Sequence, residues 1–253
     1  MIPISIQLYT LREQNAVDFP GVLRMLAETG YKGVEFAGLY DYKASEIAAI
    51  IEDLGLITSS AHTALPTREN IAELADTYKT LGTTKLISGF GPKEFETVDA
   101  LNRSIDRFQE AVEVASANGF EFGMHNHNWE FTPYADGSLP YDRILAAIPK
   151  LYSELDVFWA AFAGSDPAAF VKKYKSRMPV IHLKDGPLGP EKIMSAVGSG
   201  EVDIQAVVKA ADPNITKWLI VEIDRCATDM VQAVKDSYAY LVRTGLGAGN
   251  KAV

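Results

Sequence analysis

The sequence has one cysteine, Cys226, in 253 residues, so no disulfide can form within the chain. That agrees with a reducing compartment, and the cytoplasm is the expected location. Histidine is scarce too, at four residues. Basic side chains are outnumbered: 24 Lys and Arg face 33 Asp and Glu, for a net charge of −9. A broad nucleic-acid surface needs a basic stripe, so nucleic acid is not expected as a partner. No apolar run approaches the roughly 20 residues of a membrane span, and the opening Met1-Ile2-Pro3-Ile4-Ser5 lacks the basic and apolar regions of a signal peptide. After the first strand-like run stands Tyr9-Thr10-Leu11-Arg12-Glu13, not Gly-x-Gly-x-x-Gly, which argues against a doubly wound dinucleotide fold.

What is present is an alternation. Eight β-rich runs, at 4–9, 33–36, 57–61, 85–89, 121–125, 152–156, 180–184 and 218–222, are separated by segments of helical period. A last helix is expected over 229–244. Gly30, Gly55, Gly82 and Gly119 each follow a helical run, where a C-cap belongs. With no Gly/Ser/Pro linker in the chain, the expectation is one (β/α)8 TIM barrel over residues 1–253, with 245–253 as a frayed tail.

Such barrels build their sites at the carboxyl ends of the strands. The ionisable residues expected there are Glu35, His62, His125, His127, Glu130, Asp156, His182, Lys184, Asp185, Glu222 and Asp224. All four histidines are among them. Twenty-six residues separate Glu130 from Asp156 and again Asp156 from His182, and 40 separate His182 from Glu222. Neighbouring strands would thus each deliver one ligand to a common centre. Three carboxylates and one imidazole suit a borderline-to-hard ion, Mn²⁺ first, with Zn²⁺, Co²⁺ and Mg²⁺ also compatible. A cation explains why so many carboxylates share one barrel end. The structural alternative is neutralisation by Lys184 and Arg225, and Glu35 and Asp185 read equally well as helix caps or ion-pair partners.

Four segments carry a resemblance: His125-Asn126-His127-Asn128-Trp129-Glu130-Phe131, Glu154-Leu155-Asp156-Val157-Phe158-Trp159, His182-Leu183-Lys184-Asp185 and Val221-Glu222-Ile223-Asp224. With the turn Gly198-Ser199-Gly200-Glu201-Val202-Asp203, they resemble the xylose isomerase-like TIM-barrel superfamily, which includes sugar isomerases and epimerases, inosose dehydratases and endonuclease IV. The resemblance implies a Mn²⁺-like ion held by a glutamate after the fifth strand together with Asp156, His182 and Glu222. Epimerase relatives carry Leu-Glu where this chain has Met124-His125. The first ligand is therefore expected to be Glu130, with His125 or His127 as alternatives.

Such an ion would chelate the carbonyl and neighbouring hydroxyl of a ketose or keto-sugar, acidify the adjacent C–H and stabilise the enediolate. Glu130 and Glu222, each ligand and base, would remove and return the proton, giving an isomerase or epimerase. His62, His125 and His127 would bind hydroxyls or shuttle protons. Lys184 and Glu35 join the substrate-binding set, and Trp129, with Tyr9, Phe36 and Trp159, would pack against the sugar. The alternatives are a metal-dependent lyase or dehydratase, kept open by the imidazoles of the His-Asn-His segment, and a non-catalytic sugar-binding barrel. An endonuclease would need more histidine ligands and a basic groove. The sugar and any homo-oligomeric state stay open.

Overall fold

The computed structural model describes all of residues 1–253. Eight parallel strands close on themselves: β1 (Ile2–Gln7), β2 (Gly33–Phe36), β3 (Ile57–His62), β4 (Lys85–Ser88), β5 (Glu121–His125), β6 (Tyr152–Asp156), β7 (Val180–Leu183) and β8 (Trp218–Val221). Each pairs with the next, and β1 pairs with both β2 and β8, which completes a single (β/α)8 TIM barrel. Outside it lie α1 (Arg12–Thr29), α2 (Ala44–Asp53), α3 (Ile71–Thr80), α4 (Val98–Ala117), α5 (Pro140–Ala147), α6 (Val157–Phe162), α7 (Pro167–Tyr174), α8 (Ile204–Ala210) and α9 (Met230–Arg243). No helix is long and apolar enough to cross a membrane.

Local chemistry sets the element ends. The α4 stripe Leu101, Ser104, Phe108, Ala111, Val112 and Ala115 is buried at helical spacing, and the Thr97 side chain caps its start by accepting from the Ala100 N–H at 3.1 Å. α7 begins with Asp166 capping and Pro167 in the first turn. β1 ends at Gln7, two residues before the expected Tyr9. Its side chain accepts the Tyr9 N–H at 3.0 Å and turns the chain into a 3₁₀ turn, Leu8–Leu11. The first helix starts at Arg12 but breaks at Asp18, two residues before Pro20, and Asp18 re-caps it by accepting the Gly21 N–H at 2.8 Å.

Residues 245–253, expected as a frayed tail, make backbone contacts as far as Lys251. Gly247 and Ala248 pair with Ile2 and Pro3, the Asn250 N–H donates to the Gly30 carbonyl at 2.7 Å, and the Lys251 carbonyl accepts from the Tyr238 hydroxyl at 2.6 Å.

Two cores result. Outward strand residues such as Ile4, Ile6, Val34, Leu155 and Leu183 pack with the helices in one large cluster. Inside the barrel, Ile87, Tyr152, Val180 and Ile220 form a separate small one. Tyr152 fits because Gly123 on the neighbouring strand lacks a side chain: a Cβ there would lie 2.1 Å from the tyrosine ring. Side chains two residues on point the same way, so this apolar floor continues upward as Glu154, His182 and Glu222. Site chemistry begins one pleat above it.

Candidate metal centre and its cavity

At the carboxyl ends of the strands, residues from β2, β3, β5, β6, β7 and β8 meet beneath a cavity of about 710 Å³. His182 is fully buried between carboxylates. Its Nδ1 lies 2.7 Å from Glu222, and its Nε2 lies 2.6 Å from Glu35 and 3.1 Å from Glu154. Burial alone would lower its pKa, but Glu154, Glu35 and Glu222 outweigh that and hold it well above the ordinary value. His62 Nε2 sits 2.5 Å from Glu154, and Glu35 and Glu154 raise its pKa against burial. His125 behaves oppositely, held well below its ordinary value by burial, although its Nδ1 meets Glu154 at 3.1 Å.

Lys184 is the one buried ammonium here. It reaches Asp156 at 2.9 Å and both Glu222 and Asp224 at 2.8 Å. Burial would raise the Glu222 pKa, but Lys184 and His182 keep it well below the carboxylate range. Asp156 is pushed by burial up to about 6 against the pull of Lys184. Arg225 lines the cavity but makes no ion pair, so Lys184 alone carries the neutralising role considered for both.

Asp156, His182 and Glu222 come together as expected, and the fourth member of their group is His125; one atom from each lies within 4.8 Å of the others. Glu130 lies outside it. In the 3₁₀ turn Trp129–Phe131 its carboxylate folds back to accept the His127 N–H at 2.8 Å, and burial raises its pKa to about 8. Its carboxylate is engaged by that N–H and is not among the converging ligand atoms.

Of the expected substrate-binding residues, His62, His125, His127, Lys184 and Trp129 line the cavity. Glu35 does not: it is fully buried below, where it accepts from Gln7 at 2.7 Å and from Ser60. The ring of His127 stacks on Trp129 at 4.3 Å, and burial lowers its pKa to about 4. Tyr9 also lines the cavity, whereas Phe36 and Trp159 are packed away.

Two residues carry more than the sequence indicated. Glu154 touches His62, His125 and His182, yet only Asp156 was read as the end of its strand. The signal was the alternation Tyr152-Ser153-Glu154-Leu155-Asp156, which puts both carboxylates on the inner face. Asp185 is neither a helix cap nor an ion-pair partner. Its carboxylate accepts the N–H groups of Gly186 at 2.8 Å, Gly198 at 2.9 Å, Gly200 at 3.0 Å and Val202 at 3.1 Å, and so folds the loop after β7. A Cβ on Gly200 would lie 2.2 Å from that carboxylate, which explains the glycine-rich turn.

The residues fit a divalent ion. Five acidic side chains cluster here: Asp156, Glu222 and Asp224 share one lysine, and Glu35 and Glu154 are met by the imidazoles of His182 and His62. Two of their buried oxygens, Asp156 Oδ2 and Glu154 Oε1, accept no well-angled hydrogen bond and are met only by the charges of Lys184 at 2.9 Å and His182 at 3.1 Å, positions that a cation could share.

Comparison with known proteins identifies the family of the fold. A family model described as a xylose isomerase-like TIM barrel matches residues 23–243. No curated protein matches the sequence. Among solved structures, a sugar phosphate isomerase/epimerase from Parabacteroides distasonis is 25% identical, with a TM-score of 0.78 over 95% of this chain and 93% of its own. A probable 3-DHS dehydratase from Bacillus anthracis is 14% identical, with a TM-score of 0.77 over 95% and 98%. The IOLI protein, solved with a bound zinc atom, is 15% identical, with a TM-score of 0.70 over 96% and 99%. The chain belongs to the xylose isomerase-like TIM-barrel family.

Proposed function

We propose that this protein is a divalent-metal-dependent isomerase or epimerase of a ketose or keto-sugar, with the ion held by His125, Asp156, His182 and Glu222. The observation that carries the reading is the convergence of these four buried side chains directly below an open cavity. Two imidazoles and two carboxylates suit manganese, with zinc, cobalt and magnesium as the other ions of matching chemistry. Bound there, the ion supplies polarisation of a substrate carbonyl and its neighbouring hydroxyl, which acidifies the C–H between them.

The chain's own groups do the rest. Glu222 lines the cavity and is kept ionised by Lys184 and His182, so it can take the proton. Asp224 offers the Lys184 ammonium a third carboxylate at the cavity edge, so the lysine stays neutralised when Asp156 and Glu222 turn toward an ion. Lys184 and His62 bind substrate oxygens, and Trp129 with His127 presents an apolar face to the sugar. Glu35 acts through His182, whose ring it orients. Glu130, the expected partner base, is out of reach of the cavity. Glu222, once protonated, would return the proton to the same or the neighbouring carbon, and His127, a neutral imidazole on the cavity wall, binds a substrate hydroxyl.

That same neutral imidazole supports a second reading, a lyase in which His127 assists departure of a β-leaving group. Incubating the metal-loaded protein in D₂O with 2-ketoses and 3-keto-glycosides separates the two by NMR. Deuterium at the carbon beside the carbonyl, lost in Glu222→Gln, supports the isomerase or epimerase. Release of a leaving group supports the lyase. Neither, with metal bound, leaves a sugar-binding barrel without chemistry.

A further inference from the structure

Below the proposed quartet lies a second constellation that shares two of its members. His62, His125, Glu154 and His182 also offer one ligand atom each, all within 4.8 Å of one another. The two groups use opposite edges of the shared rings. His125 turns Nδ1 to Glu154 at 3.1 Å and Nε2 to Asp156 at 3.8 Å. His182 turns Nε2 to Glu154 at 3.1 Å and Nδ1 to Glu222 at 2.7 Å. A neutral imidazole has one lone pair, so each ring serves one ion at a time.

The donor sets differ as well. The lower group has three imidazoles and one carboxylate, a set that suits a four-coordinate zinc-type ion, in which ligand atoms stand roughly 3.3 Å apart. Glu154 already lies 2.5 Å from His62 Nε2 and 3.1 Å from the two shared rings. Its buried Oε1 accepts no well-angled hydrogen bond and faces only His182 Nε2, at 3.1 Å. The Lys184 ammonium pairs with carboxylates of the upper group, Asp156 and Glu222, and makes no ion pair with Glu154. Glu35, which now holds His182 Nε2 at 2.6 Å, would keep Gln7 and Ser60 as partners if that nitrogen turned to an ion.

We infer that His62, His125, Glu154 and His182 form a second cation seat of zinc type at the barrel floor, and that filling it empties the upper seat. Zinc thus acts as an antagonist of the working ion, by drawing the two shared imidazoles downward. The antagonism rests on the proposed role of the upper quartet; the floor seat itself does not.

The test is calorimetric titration of the metal-free protein with Zn²⁺ and with Mn²⁺, in wild type and in His62→Ala, Glu154→Gln and Asp156→Ala. His62→Ala and Glu154→Gln should each weaken zinc by about tenfold or more while manganese changes little. Asp156→Ala should do the reverse, and one equivalent of zinc should displace manganese from wild type. Zinc affinity unchanged in both floor variants, or wild type holding both ions at once, overturns the inference and leaves the upper quartet standing. Failure of wild type to bind manganese removes the quartet's role, while zinc loss in the floor variants still supports the floor seat.

Discussion

Replacing Glu130 with glutamine isolates one buried acid. Burial raises its pKa from 4.5 to about 8 in the folded protein, whereas in the unfolded chain it keeps the ordinary value. Between those values the folded state holds a proton that the unfolded state has lost, so stability falls as pH rises. Each pH unit removes about 1.4 kcal/mol, or about 4 kcal/mol between pH 5 and pH 8. The contribution is fully present below the unfolded pKa and is gone once pH passes the folded value. The substituted glutamine does not titrate, and its amide oxygen can still accept the His127 N–H. Urea unfolding of the metal-free proteins at pH 5, 6, 7 and 8 should therefore show the variant gaining steadily on wild type, by about 4 kcal/mol over the range. Parallel pH profiles would refute the assignment of a buried neutral acid. Loss of bound metal in the same variant would restore Glu130 as a ligand.

Three other perturbations follow from the same structure. Asp185→Ala removes four charge-assisted hydrogen bonds to loop N–H groups and should cost roughly 3–5 kcal/mol, read as a lowered urea midpoint. Lys184→Met leaves Asp156, Glu222 and Asp224 without their ammonium, so the metal-free protein should lose about 3 kcal/mol or more. Manganese should then raise the melting temperature of this variant more than that of wild type; equal shifts would count against the two cations drawing on the same carboxylates. Gly123→Ala drives a Cβ into the Tyr152 ring and should cost about 1–3 kcal/mol, recovered in the double variant with Tyr152→Leu. No recovery would mean that the strand backbone, not the ring, sets the limit.

The barrel was legible because its strands are buried on both faces and its helices are amphipathic, two periods that read directly from sequence. Asp156, His182 and Glu222 were legible for the same reason, since one βα repeat separates neighbouring strand ends. Glu154 was not, because attention to the last residue of a strand passes over the one a pleat below, though both face inward. Spacing gives the distance along the chain and not the turn: the 3₁₀ turn folds the Glu130 carboxylate onto the His127 N–H, and His125 is the side chain that stands with Asp156, His182 and Glu222. The tail composition suggested fraying, and no local rule reveals that Gly247 and Ala248 find free β1 backbone groups at Ile2 and Pro3. Asp185 was likewise ambiguous, since its four partners lie on a loop whose path it creates.

The most direct test of the central claim is bound manganese, measured by elemental analysis after metal-free protein is loaded and the excess removed. The account predicts about one ion per chain in wild type and in Glu130→Gln, and none retained in Asp156→Ala or His182→Ala. Wild type without manganese after loading, or Asp156→Ala retaining a full equivalent, would contradict it.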